Sequence, residues 1–248
     1  MSKQRFTRTQ LVAATLIVLI VAAGGIARGA AIGTNTHLSA DESGYVANAN
    51  RMLSGERYAT FKWPPGTSFA FAVTTRLSGH HSLRLAMHAR GPAQYTQLAI
   101  GVLALGLAAA LAWLLAGPWA AVIATALVAG YAPLVVATRT YLSEPLGTLA
   151  LLAAVAAAAL AQRRLGTRTR TWLSWRLSAR RELIALAGAG AVGGLACLVR
   201  GDLAVGMAVI AVALACAGRP GIRAGLLRGG VYLAALLLTL SPWLVYAS

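Results

Sequence analysis

QYTQLAIGVLALGLAAALAWLLAGPWAAVIATALVAGYAPLVVA, residues 94–137, contains no charged side chain, and its reading decides the fold. A helix needs about 20 apolar residues to cross the roughly 30 Å hydrocarbon core of a bilayer. This run holds two such lengths, separated by Gly117-Pro118, which reads as a tight turn between two spans. A spanning β-barrel strand would alternate apolar and polar residues over about ten positions, and nothing here alternates. The same character extends through the 248 residues: 58% are hydrophobic, 11% are charged and the mean hydropathy is +0.68. That composition excludes a soluble domain. The expected fold class is all-α, a polytopic membrane helix bundle, with Ala and Gly allowing close helix approach.

Upstream, Lys3, Arg5 and Arg8 precede an apolar run over 10–27, too long for a signal-peptide core and therefore an uncleaved anchor. Residues 28–93 hold no twenty-residue apolar window and form a long first outer loop. Two amphipathic helices are expected inside it. One covers 43–53 behind a cap from Ser39 or Asp41. The other covers 67–77 after Pro64-Pro65-Gly66, with Phe69, Phe71, Val73 and Leu77 in the headgroup layer. Downstream, spans are expected over 119–137, 146–161, 183–199, 203–217 and 231–246, making about seven in all. Arg139-Thr140-Tyr141-Leu142-Ser143-Glu144-Pro145 and Arg200-Gly201-Asp202 are short polar breaks between them, and Ser241-Pro242-Trp243 lies near the end of the last. The chain reads as a single transmembrane domain over 1–248.

The net charge of +16 reports topology and contact with anionic lipid before it reports nucleic acid, which is not an expected partner. Thirteen of the 22 Lys and Arg fall in three segments: the N-terminus, the loop 162–182 with seven arginines, and 218–228. Those segments read as cytoplasmic. Asp41, Glu42, Glu56, Glu144, Asp202 and all four histidines, His37, His80, His81 and His88, then fall outside, with Glu182 the exception. The basic loop, with Trp172 and Trp175, reads as a helix on anionic lipid. Cys197 and Cys216 sit in apolar runs without metal or redox spacing and read as packing residues.

The longest polar interval is ADESGYVANANRMLSGERYATFKWPPGTSF, residues 40–69, with adjacent carboxylates at Asp41 and Glu42, then Tyr45, Lys62 and a Trp63-Pro64-Pro65-Gly66 turn. Charge at a membrane interface is costly unless solvated, so Arg139, Glu144, Arg200 and Asp202 need an account. They either reach the headgroups or line a polar cavity beneath the first loop together with Asp41, Glu42 and Lys62; residue types alone leave both open.

The order of these pieces resembles one family. Asp41-Glu42, Tyr45, Leu53 and Gly55, a Pro-Pro pair after a basic residue, Tyr141-Leu142-Ser143-Glu144-Pro145, Leu198-Val199-Arg200 and Ser241-Pro242-Trp243 resemble the GT-C class of glycosyltransferases. Within it they look like the protein-mannosyltransferase and aminoarabinose-transferase-like branch. The resemblance implies transfer of a sugar from a polyprenyl-phosphate donor to an acceptor on the outer face of a bacterial-type plasma membrane, with the N-terminus cytoplasmic. It makes Asp41 the candidate base and Glu42 the residue that orients acceptor or loop. Lys62, Arg139, Arg200, Glu144 and Tyr45 become candidate contacts to substrate or its phosphate. No metal and no cofactor are expected, the lipid-linked sugar being a substrate. Partners implied are that donor, membrane lipid and a membrane-protein partner. Two positions depart from the pattern: Trp63 stands directly before the Pro-Pro pair where many relatives have lysine, and Gly44 where some have arginine. Set against full members of that class, the chain is expected to correspond to their N-terminal membrane portion. A non-catalytic GT-C-like subunit or scaffold is the alternative, and a transporter a further one.

Overall fold

The computed structural model describes residues 7–33, 38–58, 62–83, 91–165, 172–216 and 222–247, the side chains at 164, 165, 172–179 and 247 excepted. His37, His88, Arg168 and Arg170, and the side chains of Trp172 and Trp175, lie outside that description. All regular structure among the described residues is helical. The chain divides into two compact units, Met1–Leu149 and Ala150–Ser248.

The first unit opens with α1, Arg8–Ala31, held at its start by a capping box in which the Thr7 hydroxyl accepts from the Gln10 amide. Two surface helices follow, α2 (Ala40–Leu53) and α3 (Pro65–Leu77), then α4 (Pro92–Ala116), α5 (Pro118–Gly130), the short α6 (Ala132–Val136) and a 3₁₀ turn, Ala137–Arg139. Gly24, Gly25 and Gly29 of α1 face Leu105, Val102 and Leu98 of α4 in falling order, so the two helices run antiparallel. The left-handed Gly117, at φ 93°, makes the α4–α5 turn, a conformation for which glycine has no Cβ penalty.

The third expected span is broken. α5 and the α6 segment meet at an angle of 59°, and Pro133 explains the break, because it has no N–H to donate to the carbonyl of Ala129 four residues back. That freed carbonyl does not stay unpaired. Arg28, only 1% exposed, gives Nη1 to Ala129 O at 3.4 Å, Nη2 to Val128 O at 3.1 Å and Nη1 again to Gly24 O at 3.1 Å. The guanidinium thus sits on the carbonyl end of α5, where a helix dipole favours a cation. Room for it comes from Gly101, where a Cβ would stand 3.0 Å from Arg28 Cδ. Arg28, read from sequence as the edge of the outer loop, is a buried member of the bundle.

The second unit receives the greater part of α7 (Glu144–Leu165), then α8 (Trp172–Val199), α9 (Leu203–Cys216) and α10 (Ile222–Ala247). Its core joins Ala154, Ala158, Leu186, Ala196, Met207, Leu214, Tyr232 and Leu236. Gly190 and Gly194 press on Tyr232 and on Leu236 with Thr239, so α8 and α10 run parallel. A Cβ at Gly190 would lie 2.1 Å from Tyr232 O, a distance only glycine permits. At one end of this pair Arg228 Nε donates to Glu182 Oε1 at 2.9 Å.

Each of the seven expected spans is helical. α1, α4, Glu144–Arg163, Arg180–Val199 and Ile222–Tyr246 are long and apolar enough to cross a membrane alone, the bent α5–α6 pair makes a sixth, and α9 with 14 residues is shorter. This is a multi-pass membrane protein. The described parts of the two basic segments are helical, 162–165 closing α7, 172–182 opening α8 and 222–228 opening α10, because arginine is a good helix former. α10 also runs through Pro242, which membrane helices tolerate.

Candidate functional site

The site is built on the first turn of α2. Ser39 caps the helix by accepting from the Glu42 amide, and Glu42 Oε2 accepts from the Ser39 amide at 2.9 Å. This capping box starts the helix at Ala40, three residues before the expected start. Its second consequence reaches much further. The other oxygen, Glu42 Oε1, accepts from the buried backbone N–H of Tyr141 at 2.9 Å. Glu42, 5% exposed, therefore ties the outer helix to the break that precedes α7.

Two glutamines that the sequence reading left inside a span hold the same break. Gln94 Nε2 donates to Gly33 O at 2.8 Å and Arg139 O at 3.1 Å. Gln97 Nε2 donates to Leu142 O at 2.7 Å and Thr140 O at 3.3 Å. Irregular backbone next to hydrocarbon needs such partners, since water does not reach it there. Their three-residue spacing at the start of α4, placing both on one face, was the available signal.

Asp41 faces the other way. Its side chain is 62% exposed and that of Lys62 68%, with Lys62 Nζ 4.0 Å from Asp41 Oδ1, so the pair contributes little to stability. Trp63 joins them: its Nε1 donates to Asp41 Oδ1 at 3.3 Å, and Lys62 Nζ lies 4.8 Å from the centre of its ring. The ring rests on α2 at Gly44, where a Cβ would come within 2.4 Å of Trp63 Cε2. The two departures from the family pattern, Gly44 and Trp63, are thus a single packing event, the indole filling the space that the missing side chain leaves.

Behind Trp63 stands Tyr58, which sequence reasoning missed. Its hydroxyl donates to Trp63 O at 2.8 Å and approaches Pro64 O at 3.3 Å, and burial pushes its pKa up to about 12. Tyr45 packs with Val46, Ala49, Phe71, Ala72, Leu83, Ala93 and Tyr141 in the apolar cluster beneath the loop, its carbonyl accepting from Ser68 Oγ at 3.1 Å. Tyr141, edge-on to Phe71 with ring centroids 5.8 Å apart, is likewise raised to about 12 by burial, with the Glu42 charge adding to it.

Arg139 is exposed at the end of the 3₁₀ turn, two residues from the N–H that Glu42 holds. Glu144 lies half-buried in the first turn of α7. In the second unit Arg200 makes two hydrogen bonds to Asp202, at 3.1 and 2.9 Å, which hold the Asp202 carboxyl below the usual range. The first unit therefore brings together Asp41, Glu42 and Lys62, with Arg139 next to the same anchored break. Among the described residues, no three His, Cys, Asp or Glu side chains converge.

An exposed carboxylate with an adjacent ammonium, above a rigid backbone platform, can take a proton from a neutral hydroxyl and attract an anion. No family profile matches the sequence, and no curated protein matches it either. A likeness emerges in three dimensions, to the archaeal oligosaccharyltransferase AglB from Archaeoglobus fulgidus, solved in complex with an inhibitory peptide and a dolichol-phosphate. The TM-score is 0.69 at 16% identity, over 93% of this chain and 29% of that one. The chain thus has a GT-C-type membrane fold and spans less than a third of the neighbour's length. The likeness is one of fold, and it does not reach the mannosyltransferase and aminoarabinose branch, since the neighbour is an oligosaccharyltransferase.

Proposed function

We propose that the chain is a membrane glycosyltransferase that takes a sugar from a polyprenyl-phosphate donor and passes it to an acceptor hydroxyl outside a bacterial-type plasma membrane. The observation that supports this reading most is Asp41: an exposed carboxylate on the first turn of a helix whose next residue is bolted to the break before α7, in a chain with a GT-C-type fold. In the proposed reaction the acceptor oxygen attacks the anomeric carbon as Asp41 takes its proton. The bond between that carbon and the phosphate oxygen breaks with inversion, and the electron pair leaves on the polyprenyl phosphate. Lys62 and Arg139 offset the charge gathering on the departing phosphate. The dolichol-phosphate on the structural neighbour fits a lipid carrier of this kind, and the loop pattern supports the mannosyltransferase-like branch. Glu42 acts through the backbone it anchors.

The test is reconstitution of the purified chain in vesicles with polyprenyl-phosphoryl mannose labelled in the sugar, reading label released from the lipid phase to a hydroxyl-bearing peptide. Wild type is expected to transfer label and Asp41→Asn to abolish transfer while melting at the wild-type temperature. Undiminished transfer by Asp41→Asn would remove Asp41 from the role of base. No label released by wild type, also from other polyprenyl-phosphate sugars, would favour a subunit without turnover of its own. The reading involves no metal, so EDTA is expected to leave the rate unchanged.

A further inference from the structure

We infer that Trp63 is the positioning residue of the site, fixing the Asp41 carboxylate through its indole N–H, an inference that rests on the proposed role of Asp41. A carboxylate on a helix surface rotates freely about two side-chain bonds, and a base that wanders is in line with its proton for only part of the time. Asp41 is exposed, and among the described residues its side chain has no fully buried partner to restrain it. Two contacts, both on one oxygen, limit that freedom. Trp63 Nε1 donates to Oδ1, Lys62 Nζ approaches the same oxygen, and Oδ2 is engaged by no described residue, so one oxygen is held and the other faces outward for a proton.

The indole is itself held from several directions. Its ring lies flat on Gly44, three residues beyond Asp41 on the same face of α2. Its carbonyl accepts from Tyr58 Oη, and Pro64 and Pro65 follow it directly, limiting the backbone. Lys62 lies over the ring, so the cation and the carboxylate are set by one aromatic group. The glycine at position 44 is required by this arrangement, since a methyl group there would penetrate the ring.

The test needs no substrate in its first arm. With 5-fluorotryptophan in place of the six tryptophans, the ¹⁹F resonance lost in Trp63→Phe identifies residue 63. Asp41→Asn is expected to displace that resonance and leave the other five in place, whereas Glu56→Gln, at an exposed acid in the same loop, is expected to move none. A Trp63 resonance that ignores Asp41→Asn, or follows Glu56→Gln equally, overturns the inference. In the second arm Trp63→Phe keeps the ring and loses the N–H; kcat is expected to fall about tenfold while the donor KM stays within about twofold. An unchanged kcat, or a fall matched by an equal loss in Gly44→Ala together with a lowered melting temperature in both, overturns it as mere packing. Wild-type vesicles without transfer would sink the proposed reaction and the positioning role with it, while the ¹⁹F arm still reports whether the contact exists.

Discussion

Asp41 and Glu42 are neighbours in sequence with opposite fates. Asp41 points to solvent and Glu42 inward, where both of its oxygens take backbone amides. Removing the inner carboxylate leaves the buried Tyr141 N–H unpaired and takes the acceptor from the Ser39 amide, the reciprocal half of the capping box, so Glu42→Ala is expected to destabilise the fold by about 2–4 kcal/mol, measured by thermal unfolding in detergent. Glu42→Gln, which keeps one accepting oxygen, should cost less and retain transfer, whereas Asp41→Asn keeps stability and loses transfer; that crossed pattern separates anchor from base. The buried phenols predict a pH effect. Tyr58 and Tyr141 titrate near 12 in the fold against 10.0 for a free phenol, so folding favours their neutral forms. Their contribution is complete below pH 10 and is lost as pH rises from 10 through about 12. Melting temperature is expected to drop over that window and to drop less steeply in Tyr58→Phe, which also forfeits about 1 kcal/mol at neutral pH with its hydrogen bonds.

Elements were legible where one residue type repeats and illegible where a single polar atom decides. Twenty apolar residues announce a span wherever they occur, so the helices stand where composition put them. The bend in the third span was hidden, because its cause is Pro133 and its remedy is Arg28, about a hundred positions earlier. A lone arginine after an apolar run reads as a membrane boundary, and only the carbonyl freed by Pro133 reveals it as part of the bundle. Asp41 draws notice as a candidate because it heads a loop with a recognisable order of residues; Trp63 stands out as a departure, and its partnership with Gly44 needed coordinates. The bend that Arg28 caps, which leads into the break held by Gln94, Gln97 and Glu42, yields an element-scale prediction. Arg28→Met, similar in volume and without donors, leaves Val128 O and Ala129 O unsatisfied in a dry bundle. Hydrogen exchange over 128–141 is expected to rise by at least about tenfold, as for the loss of a hydrogen bond worth about 1.4 kcal/mol. Exchange within α8 to α10 should stay unchanged; equal exchange over 128–141 would show that the bend does not depend on Arg28.

At the scale of the molecule the open quantity is which face is outside. Thirteen of the 22 basic residues lie at the N-terminus, in 162–182 and in 218–228, and short basic segments stay on the cytoplasmic side. The helices agree within each unit. In the first, antiparallel packing of α1 on α4 puts Arg28 and Gln94 at one end, with the break at Arg139, opposite Thr7 and Gly117. In the second, parallel α8 and α10 bring Glu182 and Arg228 together at their basic ends. A chain inserted as the charges direct therefore exposes α2 and α3 outside and Arg181 inside. Glu56→Cys and Arg181→Cys, made separately with Cys216 replaced by serine and the buried Cys197 retained, test this, both chosen positions being exposed. A membrane-impermeant maleimide is expected to label the first variant in intact spheroplasts and the second only after permeabilisation. The reverse pattern would place Asp41 on the cytoplasmic face, where a reaction with an acceptor outside the membrane has no access to it.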